Sequence, residues 1–140
     1  MIQPWAQRSI EFGMTYGISV AGYDVRVEFD AEGKTPCKLI EAGEFVLAST
    51  IERFQMPIDV IGFVHDKSSW ARQGLTVQNT VIEPGWSGFL TLELTNHSRH
   101  QIMLKRGMPI AQIVFHFTDH PTTGYLGKYN EQERGPQRAR

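Results

Sequence analysis

A carboxylate in the second half of the chain stands on a strand-like segment at a position that could support chemistry. From Phe89 to Asn96 apolar and polar side chains alternate, and Glu93 falls on the polar face. That alternation is the period of a half-buried strand. A Pro-Gly-Trp-Ser-Gly turn at residues 84–88 comes just before it. Glu93 is therefore either a solvated surface residue or a general acid/base at the edge of a pocket.

A second glutamate, Glu83, lies ten residues earlier on the other side of the same turn. A hairpin could bring Glu83 and Glu93 close together, and a neighbouring carboxylate raises the pKa of one member of such a pair. A raised pKa suits general acid/base catalysis. The alternative is an ordinary pair of surface glutamates on a hairpin.

Hydroxyl and cationic side chains cluster in the middle of the chain, at Lys67, Ser68, Ser69 and Arg72. On a helix Ser68 and Arg72 share one face, because they are four residues apart. Backbone N–H groups at a helix start, two hydroxyls, an ammonium and a forked guanidinium together suit a polyphosphate. The alternative is a capped surface helix with a solvated arginine.

The C-terminal segment, from about residue 125 to residue 140, has no core pattern but carries groups that can bind a nucleotide. Lys128 and Tyr129 offer a cation and a stacking ring, and Gln132 offers an amide. Such residues are often solvated and mobile at a chain end. Because Tyr125 and Tyr129 are aromatic, we instead predict an arm that docks on a surface.

The elements that must position these groups are short strands. Thirteen glycines and seven prolines divide the chain, and many short strands favour a β-sandwich, jelly roll or barrel. One short helix is predicted over Ser68–Gln73, with Asp66 or Ser68 as its N-cap and Gly74 at its end. The sequence thus predicts a single all-β domain over residues 1–140. Its candidate strands are Tyr23–Phe29, Phe45–Thr50, Val60–Val64, Leu75–Gln78, Phe89–Thr95, Ile102–Leu104 and Ile110–Phe117.

Composition narrows the functional classes. The net charge of −1 gives no field that would attract nucleic acid or an anionic membrane. Cys37 is the only cysteine, so an internal disulfide and a cysteine-based metal site are excluded, and we expect it to be a small buried hydrophobe. The five histidines show no metal-binding spacing. Without an 18-residue apolar run or a signal sequence, a cytoplasmic protein with no membrane partner is expected.

Taken together, these segments resemble the deoxycytidine triphosphate (dCTP) deaminases of the trimeric deoxyuridine triphosphatase (dUTPase) superfamily. The resemblance covers nearly the whole chain, and it depends on the order and spacing of the motifs rather than on any one of them. The segments that carry it are 22–26 (Gly-Tyr-Asp-Val-Arg), 67–75 (Lys-Ser-Ser-Trp-Ala-Arg-Gln-Gly-Leu), 82–88 (Ile-Glu-Pro-Gly-Trp-Ser-Gly), 92–96 (Leu-Glu-Leu-Thr-Asn), 107–112 (Gly-Met-Pro-Ile-Ala-Gln) and 127–129 (Gly-Lys-Tyr).

The resemblance implies a distorted jelly-roll-like β domain that assembles as a homotrimer with active sites between subunits. It implies that Ser68, Ser69 and Arg72 bind a triphosphate and align the catalytic water, with Lys67 where an arginine is more usual. It also implies that Glu93 is the general acid/base. The further substrate contacts that it implies are Glu83, Thr91, Leu92, Tyr125, Lys128 and Gln132. Of these, Tyr125, Lys128 and Gln132 belong to the arm and would close over the triphosphate.

The activity implied is hydrolytic deamination of dCTP to dUTP and ammonia. Nucleobase deaminases that use zinc hold it with one histidine and two cysteines. The single cysteine excludes that site here, so the implied mechanism is zinc-independent, with Mg²⁺ carried by the triphosphate rather than by a protein site. The alternatives are a dUTP diphosphatase, a bifunctional enzyme that makes dUMP from dCTP, and a non-catalytic nucleotide-binding regulator.

Two departures from the family pattern bear on these alternatives. Residues 77–81, in a hairpin that lies beside the base in the family, look about two residues shorter than usual. Glu83 stands where the family generally has an aspartate, which in the diphosphatase branch activates the water that attacks the α-phosphate. An extra methylene would misplace such a water by roughly 1 Å, which can lower a rate on the order of a hundredfold. We therefore expect deamination without efficient diphosphate release.

Overall fold

The computed structural model describes all residues from 1 to 140, and they form short strands with one helical turn. The predicted all-β class with a single short helix is confirmed. The helical turn, α1, is Ser68–Ala71, and it is far too short to cross a membrane. The strands are β1 (Ile2–Gln3), β2 (Ser9–Glu11), β3 (Met14–Ile18), β4 (Tyr23–Glu28), β5 (Cys37–Ile40), β6 (Phe45–Gln55), β7 (Val60–Asp66), β8 (Leu75–Val77), β9 (Ser87–Asn96), β10 (Ile102–Lys105) and β11 (Pro109–Phe117).

The strands form one curled antiparallel sheet and a two-stranded ribbon. Nine strands belong to the main sheet, which runs in the order β2-β3-β4-β6-β9-β8, with β11 pairing both β4 and β7. β1 lies along β6, and β5 and β10 form the separate ribbon. Because β6 and β9 pair along most of their length in the middle of this path, they form the platform on which the candidate site is built.

The core is made of 22 buried apolar residues, and β9 contributes to it by alternation. Leu92 and Leu94 are fully buried, as their spacing predicts, but Leu90 is only half-buried, and Thr91 is buried in its place. The reason is a register shift in the β6–β9 ladder between Ser49 and Arg53. Such bulges increase the local twist and redirect side chains, so Leu90 faces a cavity rather than the core.

The turn α1 is shorter than predicted and begins differently. It ends at Ala71 rather than Gln73, and the predicted N-cap by Asp66 or Ser68 is wrong, since the helix has no side-chain cap. The Asp66 carboxylate instead accepts a hydrogen bond from the Val77 N–H at 2.7 Å, which ties the end of β7 to β8. Gly74 has a φ of +87°, so the predicted left-handed residue after the turn is present.

Four short strands are the part of the fold that the sequence did not indicate. β1, β2, β3 and β5 have two to five residues each, too few to show an alternation. The expectation that Cys37 is buried is wrong, because it is exposed at the start of β5, and β5 has β10 as its single neighbour.

Candidate active site

A cavity of about 720 Å³ opens beside the middle of β9. Its walls come from β6, β9, the segment 79–86 and the C-terminal arm. Five of the residues predicted from the sequence line this cavity: Glu83, Thr91, Glu93, Tyr125 and Gln132. The volume suits a ligand of nucleotide size.

Glu93 lies against the apolar side of the cavity. Its Cα is paired with that of Leu47 on β6, and Leu47, Phe45 and Leu90 line the same space. The Glu93 carboxyl group makes no ion pair and no hydrogen bond with any other protein group, although the residue is half-buried. Burial therefore raises the pKa of Glu93 above its ordinary value. A carboxyl group held this way can both accept and return a proton.

Glu83 lies at the rim of the same cavity and is exposed. The sequence left open whether a close pair of carboxylates raises the pKa of one member. The pKa of Glu93 is raised, and its cause is burial rather than the second carboxylate. Glu83 shares the cavity with Glu93, but it does not perturb the protonation of Glu93.

Asn79 belongs to the site, although no sequence pattern indicated a role for it. Its side-chain amide donates to the Thr91 carbonyl at 2.6 Å, and its side-chain oxygen accepts the Glu93 N–H at 3.2 Å. Asn79 also lines the cavity. The segment 77–81 is thus bonded to the strand that carries Glu93.

The C-terminal arm folds against the cavity of its own chain. The Trp86 indole N–H donates to the Tyr129 carbonyl at 2.6 Å, and the Phe89 N–H donates to the Gln132 carbonyl at 3.0 Å. Further along, the Gln137 N–H donates to the Thr91 hydroxyl at 3.0 Å. These contacts fit the prediction of a docking arm and bring Gln132 into the cavity wall.

A buried ion cluster anchors this arm to the sheet. Glu28 on β4 is fully buried, and its carboxylate accepts from Arg134 of the arm at 2.6 Å and from Arg106 at 2.9 Å. The next residue, Gly135, has a φ of +89°, and a Cβ there would lie 2.7 Å from the Ala31 nitrogen. Only glycine fits such a close approach of two backbones.

Lys128 of the arm is exposed and lies outside the cavity wall. Its ammonium donates to the carbonyl of Arg140 and lies 5.0 Å from the centre of the Tyr129 ring. The Leu92 side chain is fully buried in the core, so that only its backbone remains for a substrate contact.

The predicted phosphate-binding residues lie elsewhere on the chain. Ser68, Ser69 and Arg72 are exposed, and none of their side chains forms a hydrogen bond within the chain. Ser68 and Lys67 line a second cavity of about 330 Å³, where the Lys67 ammonium pairs with Asp24 at 2.7 Å. Within one chain, Glu93 and the predicted phosphate-binding residues Lys67 and Ser68 therefore line different cavities.

Possible metal ligands are dispersed over the chain. No three or more histidine, cysteine, aspartate or glutamate side chains are grouped so that they could hold a metal ion.

Comparison with known proteins identifies the family of this chain. The sequence model of the family described as dCTP deaminase-like matches residues 24–118. A dCTP deaminase of Pyrococcus horikoshii is 34% identical over 96% of this chain and 86% of its own length. A protein of Corynebacterium glutamicum named dCTP deaminase, dUMP-forming, is 39% identical over 70% of this chain and 56% of its own length. The solved structure of the EIAV dUTPase covers 77% of this chain and 84% of its own, with a TM-score of 0.60 and 25% identity.

Proposed function

The chain belongs to the dCTP deaminase-like family, and we propose that it hydrolyses dCTP to dUTP and ammonia without zinc. The observation that carries this proposal is the Glu93 carboxyl group, which faces a cavity of about 720 Å³ without any protein partner and has a raised pKa. A carboxyl group without a structural role in its own fold is available for proton transfer. Such a protein acts in the compartment that holds its deoxynucleotide substrate, which we take to be the cytoplasm.

Glu93 serves as the single proton carrier of the reaction. Its carboxylate accepts a proton from a water molecule, and the hydroxide adds to C4 of the cytosine ring. Glu93 passes this proton to the ring N3, which keeps it in the uracil product. Glu93 then takes the proton of the new C4 hydroxyl and delivers it to the amino group, which leaves as ammonia as the C4–N bond breaks and the C4 carbonyl forms. Water and dCTP are consumed, dUTP and ammonia are formed, and Glu93 ends as it began. A base with a raised pKa takes the proton from water more readily, which favours the first half of this cycle.

The triphosphate is bound by residues of a neighbouring subunit in a homotrimer. Supporting this, the side chains of Ser68, Ser69 and Arg72 are exposed and free of internal hydrogen bonds, yet they lie outside the Glu93 cavity. An arginine fork and hydroxyl groups are suitable donors to phosphate oxygens. A subunit contact that brings this cluster to the Glu93 cavity of the next chain completes the site. Lys67 joins the set if its ammonium exchanges Asp24 for a phosphate.

Magnesium enters with the nucleotide and shields the charge of the triphosphate. The carboxylates near the phosphate cluster are partly engaged, since Asp24 pairs with Lys67 and Asp66 accepts from Val77. Mg²⁺ commonly keeps several waters and binds through substrate phosphates rather than through a protein cage. The protein's contribution is therefore to position the phosphates.

The arm closes the base side of the site. Tyr125 and Gln132 line the Glu93 cavity, and the Thr91 hydroxyl is held by the arm at Gln137. Lys128, which is exposed and bonded only to the chain end, is available to a phosphate when the arm adjusts. The backbone of Leu92, next to Glu93, completes the contacts.

A bifunctional enzyme that releases dUMP is the second candidate. A relative with 39% identity is named dUMP-forming, and Glu83 lies at the rim of the cavity, where a second water could be activated. A non-catalytic nucleotide-binding regulator is the third, but it leaves the unpartnered Glu93 without a purpose.

One paired assay separates these candidates. The purified protein is incubated with dCTP or dUTP and Mg²⁺, and ammonia and pyrophosphate are measured separately for the wild type and for Glu93→Gln. Deamination predicts ammonia from dCTP without pyrophosphate, and loss of that ammonia in Glu93→Gln with dCTP binding retained. Unchanged turnover in Glu93→Gln contradicts the assignment of Glu93. Pyrophosphate from both nucleotides instead identifies the dUMP-forming activity.

A further inference from the structure

We propose that Asn79 is a positioning residue that sets the location of Glu93 through the main chain of β9. This inference rests on the proposed function of Glu93 as the proton carrier. It concerns a residue in the segment 77–81.

The Asn79 carboxamide bonds to the backbone of β9 just beyond the point where β8 ends. β8 ends at Val77, whose ladder partner on β9 is Leu94, and the last backbone hydrogen bond of this pairing runs from the Gln78 N–H to the Glu93 carbonyl. Beyond Val77 the Asn79 side chain makes the contacts with β9. Its amide nitrogen donates to the Thr91 carbonyl at 2.6 Å, and its oxygen accepts from the Glu93 N–H at 3.2 Å. A primary amide offers one acceptor and two donors, and it can therefore replace a peptide group in a ladder.

The backbone of β9 is held on both sides of Glu93 by this segment. The Gln78 N–H donates to the Glu93 carbonyl at 2.8 Å. This bond and the two bonds of Asn79 engage three successive peptide groups of β9. Two of these peptide groups precede the Glu93 side chain, and one follows it. On the opposite edge of β9 the ladder with β6 is regular at Glu93 and becomes irregular only beyond the Ser49–Thr91 pair. Asn79 therefore completes the restraint on the one edge of β9 where strand pairing has ended.

Restraint of the main chain matters more for Glu93 than for most catalytic residues. The Glu93 carboxyl group has no protein partner that would hold it in place, so its position follows from the backbone and from apolar contacts. A displacement of about 1 Å at a reacting group can lower a rate on the order of a hundredfold. Loss of the Asn79 bonds should thus reduce the chemical step while the nucleotide still binds.

The test compares Asn79→Ala with Gln78→Ala. Gln78 is the matched control because it also joins this segment to β9, through a 2.5 Å contact between its side-chain oxygen and the Thr95 hydroxyl, but it does not line the cavity. We expect Asn79→Ala to lower kcat for dCTP by about 10- to 100-fold, with KM within about threefold of the wild type. Gln78→Ala should retain kcat within about twofold.

A binding measurement separates positioning of Glu93 from a general effect on the pocket. In the Glu93→Gln background, the added Asn79→Ala substitution should leave the dissociation constant for dCTP unchanged, because there is no longer a base to position. A weakened dCTP affinity in this double variant, or an unchanged kcat in Asn79→Ala, overturns the inference.

Folding of the variants is checked by the melting temperature. If Asn79→Ala does not fold, the isosteric Asn79→Asp variant replaces it, since that variant keeps the acceptor for the Glu93 N–H and loses the donor to Thr91. Its kcat should fall at least about fivefold, and full activity overturns the inference. If Glu93→Gln remains active, the proposed function of Glu93 is wrong. If Glu93→Gln is inactive and Asn79→Ala is fully active, only the proposed role of Asn79 is wrong.

Discussion

Replacing Arg134 by methionine should release the C-terminal arm while the sheet stays folded. Arg134 is the arm's contact with the fully buried Glu28, at 2.6 Å. Methionine keeps an unbranched, flexible side chain and removes the charge. Glu28 still accepts from Arg106 and from the Phe29 N–H, so the buried carboxylate keeps partners, and the loss is confined to the arm.

The size of the effect follows from the exposure of the two partners. A hydrogen bond to a charged group contributes about 1.5–3 kcal/mol. The Arg134 side chain is 36% exposed, and solvent screening reduces its share to about 1–2 kcal/mol. A change of that size alters an equilibrium about 5- to 30-fold. The population with a detached arm should rise by that factor, and KM for dCTP should rise with it if the arm covers the bound nucleotide.

Amide hydrogen exchange measures arm opening directly. The Gln137 N–H, which donates to the Thr91 hydroxyl, should exchange about 5- to 30-fold faster in Arg134→Met, since exchange follows local opening. Arg106→Met is the matched control, because Arg106 binds the same carboxylate from outside the arm. It should lower the melting temperature with less effect on Gln137. Equal exchange at Gln137 in Arg134→Met and wild type would refute the anchoring role of Glu28.

Two further predictions concern the carboxylates of the cavity. Burial raises the pKa of Glu93, so replacing the apolar Leu47 opposite it by threonine should lower that pKa. The acid limb of the pH profile of kcat/KM for dCTP should then move to lower pH. An acid limb that stays in place or moves to higher pH contradicts the burial argument. Shortening the rim residue in Glu83→Asp should raise the ratio of pyrophosphate to ammonia formed from dCTP, as the paired product assay measures; an unchanged ratio indicates that the length of this side chain does not limit diphosphate release.

Much of the fold and part of the site could be predicted from the sequence. The long strands β6, β9 and β11 carry an alternation or an apolar run that is visible without a structure, and Gly74 marks the end of the helical turn. The short strands β1, β2, β3 and β5 bury too little to leave a pattern. Glu93 could be singled out because a charged residue on a strand beside a turn is conspicuous.

The remainder depends on contacts between distant residues. Asn79 leaves no signal, since a side-chain bond to the backbone 12 and 14 residues away has no sequence period. The cause of the raised pKa of Glu93 could not be predicted because sequence spacing reveals a nearby carboxylate but not the apolar wall. The separation of the Ser68–Arg72 cluster from Glu93 is likewise a property of the curled sheet, not of the order of the motifs.

The unpartnered Glu93 makes each folded molecule less stable than it need be. Because its pKa is raised in the folded state, folding favours the protonated form, so Glu93 contributes stability below its unfolded pKa and loses that contribution as the pH rises through the folded value. At neutral pH the ionised glutamate therefore works against folding of the nucleotide-free protein. Mutational drift towards greater stability would replace it with a neutral side chain. Selection for catalysis has to oppose that drift at this one codon for as long as the glutamate persists.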